Sequence, residues 1–84
     1  MESQEIEQVL RSHIQEEFMA DQPDSRLDLD TELIQEGVID SLGIFNLVSF
    51  LMERFGIEVE SEDVVIENFE TLDAIKALVQ SKLS

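Results

Sequence analysis

One apolar segment dominates the chain: residues 37–56, which read GVIDSLGIFNLVSFLMERFG. An acid and a hydroxyl, Asp40 and Ser41, stand before the run, and a glycine, Gly56, closes it. Short polar residues favour a helix start, because they accept hydrogen bonds from free backbone amides, and glycine favours the left-handed residue that ends a helix. The pattern predicts a helix over residues 41–55 with Asp40 or Ser41 as its N-cap.

The rest of the chain predicts three further helices. Apolar residues at helical spacing predict the first helix over residues 3–19. A short third helix is expected over residues 61–66, with Ser61 as N-cap, followed by a turn at residues 67–70. Thr71 is the expected cap of the fourth helix, whose apolar residues share one face.

Residues 20–40 fit neither the helical nor the strand period, so they form a long connection. A single helical turn is expected near residues 31–35, capped by Asp30 and ended by Gly37. The sequence therefore predicts an all-α four-helix bundle with three longer helices, a short third helix, and a long loop between helices one and two. At this length we expect a single domain over residues 1–84.

Charge and composition limit the classes of function. The 84 residues contain 20 Asp and Glu against 5 Lys and Arg, a formal net charge of −15. Such a surface repels nucleic acid and favours partners that present basic residues. The chain has no cysteine, which excludes a disulfide, a thiol nucleophile and a thiolate metal site. Because no apolar run has membrane-spanning length and no signal peptide is visible, we expect a cytoplasmic monomer with no membrane span.

Two candidate sites outside the second helix are weak. His13 lies beside the core position Ile14, so we expect it to border the core with one ring nitrogen in water; no second histidine could complete a metal site. A calcium-loop register that begins at Asp28 places Leu33 at the required glycine and Ile39 at the final glutamate. We therefore expect no catalytic residue and no metal ligand.

The start of the second helix allows two interpretations. Asp40 and Ser41 are ordinary capping residues, and a structural role alone explains them. The same position also suits a phosphate ester, because free backbone amides and the helix dipole both favour an anion there. A serine at the end of a bundle is also accessible to another protein.

The sequence resembles the acyl carrier protein family. The resemblance rests on residues 37–42, 55–57 and 67–75, together with the chain length, helix count and charge, and it covers roughly residues 3–83. The Asp-Ser-Leu tripeptide alone is a weak signal, but its position before an apolar second helix makes the match specific.

The resemblance implies a cofactor and its attachment residue. In the family, a Mg²⁺-dependent phosphopantetheinyl transferase joins 4'-phosphopantetheine from coenzyme A to a serine, which corresponds to Ser41. The terminal thiol of this arm then carries an acyl or aminoacyl group as a thioester. Asp40 corresponds to the acid that helps to dock basic residues of the transferase.

The second helix departs from the carriers of fatty-acid synthesis. Between Ser41 and Phe55, Glu53 is the only acid, whereas those carriers concentrate acids on this helix. Residues 42–45 are more similar to D-alanyl carriers of cell-wall modification and to stand-alone carriers of polyketide extender units. The resemblance thus implies an adenylating enzyme or acyltransferase as loading enzyme, and downstream acyl-transfer enzymes with basic or apolar docking surfaces.

Apolar residues occupy two sides of the second helix. A second stripe, Leu42, Phe45 and Met52, lies about 110° round the helix from the stripe that faces the core. The core-facing stripe consists of Ile44, Val48, Leu51 and Phe55. A domain of this size cannot cover both, so we expect the second stripe to be partly exposed as a docking strip for partner enzymes. The alternative is burial under the long loop or the short third helix.

An acidic helical interaction module, such as a nucleic-acid mimic, is the alternative function. The charge fits both classes, but only the carrier requires Asp40 and Ser41 at a helix start. An enzyme is disfavoured, because the chain offers neither a deep cleft nor a nucleophile paired with a base.

Overall fold

The computed structural model describes residues 3–18 and 27–83, and the regular structure within these ranges is entirely helical. Its elements are α1 (Ser3–Phe18), α2 (Ser41–Phe55), a 3₁₀ turn (Ser61–Asp63), α3 (Ile66–Phe69) and α4 (Leu72–Leu83). The predicted all-α fold, with a short third helix and a long connection before the second, is confirmed. Met19, the predicted last residue of the first helix, and residues 20–26 lie outside the described residues.

Local chemistry at both ends sets the limits of α2. Asp40 has extended backbone angles, and its Oδ1 accepts a hydrogen bond of 2.7 Å from the amide of Gly43. Gly56 adopts the left-handed conformation with φ of 65°, and its amide donates to the carbonyl of Met52 at 3.1 Å. The predicted bounds of this helix are confirmed. Of the two candidate N-caps, Asp40 is the residue that caps the helix.

The core forms around α4, against which α1, α2 and α3 all pack. Each helix contributes the side chains of one face, which are at most 8% exposed. These are Ile6, Leu10 and Ile14 of α1, Leu47, Leu51 and Phe55 of α2, Phe69 of α3, and Leu72, Ile75, Leu78 and Val79 of α4. Burial of one such side chain contributes roughly 1.5–3 kcal/mol, so this small core depends on nearly every one of them.

The connection before α2 has its own apolar anchors. Leu27, Leu33 and Ile39 are each at most 2% exposed and belong to the same core as the helices. Because these side chains are buried, the loop cannot move away from the bundle without exposing apolar surface to water.

Hydrogen bonds join this connection to the junction between α3 and α4. The amide of Leu33 donates to the carbonyl of Glu70 at 2.8 Å, and the amide of Asp73 donates to the carbonyl of Leu29 at 3.1 Å. On the other side, Nε of Arg11 in α1 donates to the carbonyl of Leu27 at 2.9 Å. Residues 27–40 of this connection are therefore held in place up to the first residue of α2.

The predicted helical turn in this loop is displaced. It occupies residues 33–37 rather than 31–35, and Gly37 ends it with a φ of 77°, as expected. Asp30 does not cap it; instead Oγ1 of Thr31 accepts a hydrogen bond from the amide of Asp28 at 3.0 Å, one turn earlier.

The predicted position of the third helix is wrong. The 3₁₀ turn Ser61–Asp63 ends within the range predicted for that helix, and α3 lies where a turn was expected. Ser61 is the first residue of the 3₁₀ turn and not its cap; the residue before the turn is Glu60.

Asp63 makes hydrogen bonds to residues before and after it. Its Oδ2 accepts from the amide of Glu60 at 3.0 Å, and its carbonyl accepts from Nδ2 of Asn68 at 2.8 Å. The carboxylate also pairs with Nζ of Lys82 at 2.7 Å, a hydrogen bond that lowers the pKa of Asp63 and raises that of Lys82. The side chains of α3 and α4 thus hold Asp63 at the end of its turn.

The surface carries far more acids than the basic residues can pair. Glu7 pairs with Arg11 at 3.2 Å and with Lys76 at 3.8 Å, and Lys76 also lies 3.8 Å from Asp73. The sequence contains 20 Asp and Glu and only 5 Lys and Arg, so most carboxylates face like charges across the surface. This repulsion destabilises the compact state.

We predict that salt stabilises the fold. Raising the NaCl concentration from about 10 mM to about 150 mM shortens the Debye length from about 30 Å to about 8 Å, which screens the repulsion among surface carboxylates. The melting temperature, followed by circular dichroism at neutral pH, should rise. KCl at the same concentrations controls for a sodium-specific effect. A melting temperature that does not change would show that local ion pairs already balance the acids.

Candidate functional site at the start of helix α2

Ser41 is the first residue of α2, and its side chain is exposed. Within residues 3–18 and 27–83 its hydroxyl makes no hydrogen bond, because Asp40 supplies the oxygen that caps the helix. A capping serine would have its oxygen turned to the backbone amides of the first turn. The division of roles between these neighbours therefore leaves the serine hydroxyl exposed and outside the capping hydrogen bond.

Asp40 supplies a second property, a negative charge beside that hydroxyl. Its side chain is exposed, and Oδ1 is bonded to the amide of Gly43. A carboxylate at a helix N-terminus interacts favourably with the helix dipole. The same side chain thus caps the helix and remains exposed next to Ser41.

The residues predicted as a docking strip are exposed: Leu42 is 78% exposed, Phe45 63% and Met52 41%. They do not fold under the loop or α3, which was the alternative. At about 100° per residue, Phe45 and Met52 lie within about 40° of Ser41 round the helix, and Leu42 lies at about 100°. The strip therefore begins beside Ser41 and runs about 17 Å along α2.

Sequence reasoning missed two further exposed apolar residues, Val65 and Ile66, at the start of α3. Their exposure follows from the displaced position of this helix, whose only buried residue is Phe69. The signal in the sequence is the pair of adjacent β-branched residues, which a single helical turn cannot bury together. Sequence reasoning also missed Gly43, which is buried although it lies in the first turn of α2.

His13 packs against α2 at some distance from Ser41 along the chain. Its ring is stacked on that of Phe50, with centroids 3.7 Å apart, and lies near the side chain of Asn46. Burial is the main influence on the imidazole and lowers its pKa, which the nearby Glu16 and Glu17 partly oppose. Nε2 is buried and has no hydrogen-bond partner among the described residues. This ring nitrogen is therefore not in water, where one nitrogen was expected. The ring serves as packing between α1 and α2.

In the parts of the chain that the structure describes, no group of three His, Cys, Asp or Glu residues is placed to hold a metal ion. Among the same residues, no helix is both long enough and apolar enough to cross a bilayer.

Comparison with known proteins identifies the family. A sequence profile described as "Phosphopantetheine attachment site" matches residues 8–79. Over 75 residues the chain is 33% identical to a protein of Serratia sp. (strain ATCC 39006) described as "Probable acyl carrier protein PigG", and the alignment covers 89% of this chain and 85% of that relative. The chain therefore belongs to the acyl carrier protein family.

Members of this family carry covalent 4'-phosphopantetheine and are generally not catalysts themselves. The residues at the start of α2 fit this cofactor, because an exposed hydroxyl that no described residue engages in a hydrogen bond can form a phosphodiester. The first amides of the helix, which have no intrahelical acceptor, favour the phosphate charge there.

Substitutions at Asp40 should separate the contribution of its capping hydrogen bond from that of its negative charge. Asp40→Ala removes the cap and should lower the free energy of unfolding by about 1 kcal/mol, whereas Asp40→Asn keeps a capping oxygen and should cost much less. Urea unfolding followed by circular dichroism measures both. Glu36→Gln, at an exposed acid in the preceding loop, controls for loss of one charge. If Asn is as destabilising as Ala, the charge and not the hydrogen bond stabilises the helix start.

Proposed function

We propose that this chain is a discrete acyl or aminoacyl carrier protein that holds its cargo on a 4'-phosphopantetheine arm attached to Ser41. Residues 1–84 form one carrier domain with no catalytic residue of its own, working as a monomer in the cytoplasm. The observation that carries the proposal is the exposed hydroxyl of Ser41, which is free because Asp40 caps the helix.

Each residue at the site then has one task. Ser41 provides the nucleophilic oxygen to a phosphopantetheinyl transferase, and Asp40 attracts basic residues of that enzyme. Once attached, the arm supplies a thiol that carries the acyl group as a thioester, which a chain without cysteine cannot supply from its own side chains. The bundle holds the attachment point on a capped helix, so that the arm starts from a fixed position.

The docking strip of Leu42, Phe45 and Met52 is proposed to select the partner enzymes. Its side chains are exposed on the side of α2 that carries Ser41, where an enzyme acting on the arm must approach. Exposed apolar groups in such a place are typical of protein interfaces, and methionine adapts to several partners in turn. The net charge of −15 favours enzymes whose apolar docking surface has a basic rim.

The partners proposed are a loading enzyme, either an adenylating enzyme or an acyltransferase, and downstream acyl-transfer enzymes. Secondary metabolism or cell-wall modification is the proposed pathway, in preference to fatty-acid synthesis. The support is the charge of α2, on which Glu53 is the only acid, and the apolar strip that replaces acids. An acidic module that mimics nucleic acid would share the charge, but it has no use for a free hydroxyl beside a capping acid.

We predict that Ser41 is the only modified residue. Incubation with coenzyme A, Mg²⁺ and a broad-specificity phosphopantetheinyl transferase should add one phosphopantetheine mass to the wild-type chain and none to Ser41→Ala. Ser49→Ala, at an exposed serine of the same helix, should be modified like the wild type. Intact-mass spectrometry measures all three. Modification of Ser41→Ala would contradict the assignment, and an unmodified wild type would contradict the proposed function.

We predict that the docking strip affects loading more than stability. Phe45→Ala and Met52→Ala should each lower kcat/KM about tenfold with an adenylating enzyme or acyltransferase that loads the wild-type carrier. The free energy of unfolding should change by no more than about 0.5 kcal/mol, because the side chains are exposed. Leu83→Ala is the matched control, since Leu83 is 40% exposed on α4 while Met52 is 41% exposed.

Two outcomes would contradict the docking strip. If Phe45→Ala or Met52→Ala unfolds the domain, the residue belongs to the core. If the two variants load at the wild-type rate, partners bind elsewhere. Leu47→Ala, at a fully buried position of the same helix, is the reference for removing a core side chain. It should lower the free energy of unfolding by about 2–5 kcal/mol.

A further inference from the structure

Gly43 lies at a close approach between α1 and the helix that carries Ser41. A Cβ atom on Gly43 would lie 2.8 Å from Cε1 of Phe18, 3.1 Å from Cγ2 of Ile39 and 3.3 Å from Oδ1 of Asp40. Unbonded carbon atoms rest about 3.5–4.0 Å apart, so the first two distances leave no space for a side chain. Glycine is therefore the only residue that fits this position without movement of its neighbours.

The close neighbours of Gly43 come from both sides of the connection between α1 and α2. Phe18 is the last residue of α1, and its ring also meets His13 edge to face with centroids 6.3 Å apart. Ile39 is 1% exposed and immediately precedes the cap Asp40. The first turn of α2 thus rests on the end of one helix and on the last buried anchor of the loop.

We infer that Gly43 and Phe18 are positioning residues for the modification of Ser41, an inference that rests on the function proposed above. The Phe18 ring occupies the space that a side chain at position 43 would need, so the first turn of α2 can lie this close to α1 only with glycine there. Ser41 is two residues earlier in the same turn. A side chain at position 43 must displace either the Phe18 ring or the turn itself, since the buried Ile39 has no space to yield.

The orientation of this turn matters because of the reaction that takes place there. Oγ of Ser41 forms a bond to the phosphorus that carries pantetheine in coenzyme A, while the bond from that phosphorus to the oxygen of adenosine 3',5'-bisphosphate breaks. The hydroxyl proton passes to a base of the transferase, and the leaving group keeps the electron pair. The attacking oxygen must be in line with the breaking bond, so a small displacement of the turn lowers the rate.

The test compares four variants: Gly43→Ala, Phe18→Ala, the double variant, and Ser49→Ala as a control for alanine on an exposed face of the same helix. Steady-state modification by a phosphopantetheinyl transferase with coenzyme A and Mg²⁺ gives kcat and KM for the carrier. Thermal unfolding of the same proteins shows whether each remains folded.

We expect Gly43→Ala to lower kcat about tenfold, because a small displacement of reacting atoms is costly. KM should stay within about twofold, because the docking strip further along α2 is unchanged. Removal of the Phe18 ring makes space for the new Cβ, so the double variant should recover much of the lost kcat. At an ordinary helical position alanine is more stabilising than glycine, whereas Gly43→Ala should not raise the melting temperature.

The outcomes distinguish this inference from the proposed function. If the wild type is modified and Gly43→Ala has the same kcat, or the double variant is no faster than Gly43→Ala, the positioning role is overturned and the proposed function stands. If the wild-type chain is not modified at all, the proposed function fails and this inference fails with it. A loss confined to KM would place the effect in docking and would also overturn the positioning role.

Discussion

The buried residue Leu33 holds the long connection in place. Its side chain is fully buried, its amide donates to the carbonyl of Glu70, and its own carbonyl accepts from the amides of Val38 and Ile39 at 2.8 and 3.1 Å. One residue therefore ties the loop to the junction of α3 and α4 and closes the turn before α2. Without it, a connection of this length would carry a large conformational entropy and could not fix the position of Ser41.

The first turn of α2 depends on that fixed path. Ile39 enters the core directly after the turn that Leu33 closes, and Asp40 then caps the helix through the amide of Gly43. Because the cap belongs to Asp40, the hydroxyl of Ser41 takes no part in the hydrogen bonds among residues 3–18 and 27–83. Either of these two neighbouring residues could have capped the helix. Because Asp40 does so, Ser41 keeps an exposed hydroxyl.

The sequence was sufficient to predict the structure wherever interactions between residues close together in the chain determine it. Asp40 and Gly56 limit α2 through bonds to residues at most four positions away, and the exposure of Phe45 and Met52 follows from counting positions round a helix. The binding role of the strip stays a prediction. The third helix could not be placed in this way, because the contacts around it, such as that of Asp63 with Lys82 from the far end of α4, join distant segments.

The same limit applies to the candidate site. Ser41 was recognisable from the residues around it and from the resemblance to a family. Gly43 was not recognisable, because the requirement for a residue without a side chain arises only when Phe18 approaches from another helix. Burial of Nε2 in His13 likewise depends on the stacked ring of Phe50, which a sequence pattern does not reveal. Contacts between distant segments decide these features, and a single sequence does not display them.

The two backbone bonds between the loop and the α3–α4 junction have a consequence for the order of biosynthesis. Ser41 leaves the ribosome before Glu70 and Asp73, so the two hydrogen bonds that join the loop to this junction cannot form until those later residues have been made. A chain that ends before Glu70 still contains Ser41 but lacks both hydrogen bonds. The first turn of α2 therefore reaches its anchored position only after the residues of the α3–α4 junction have been synthesised.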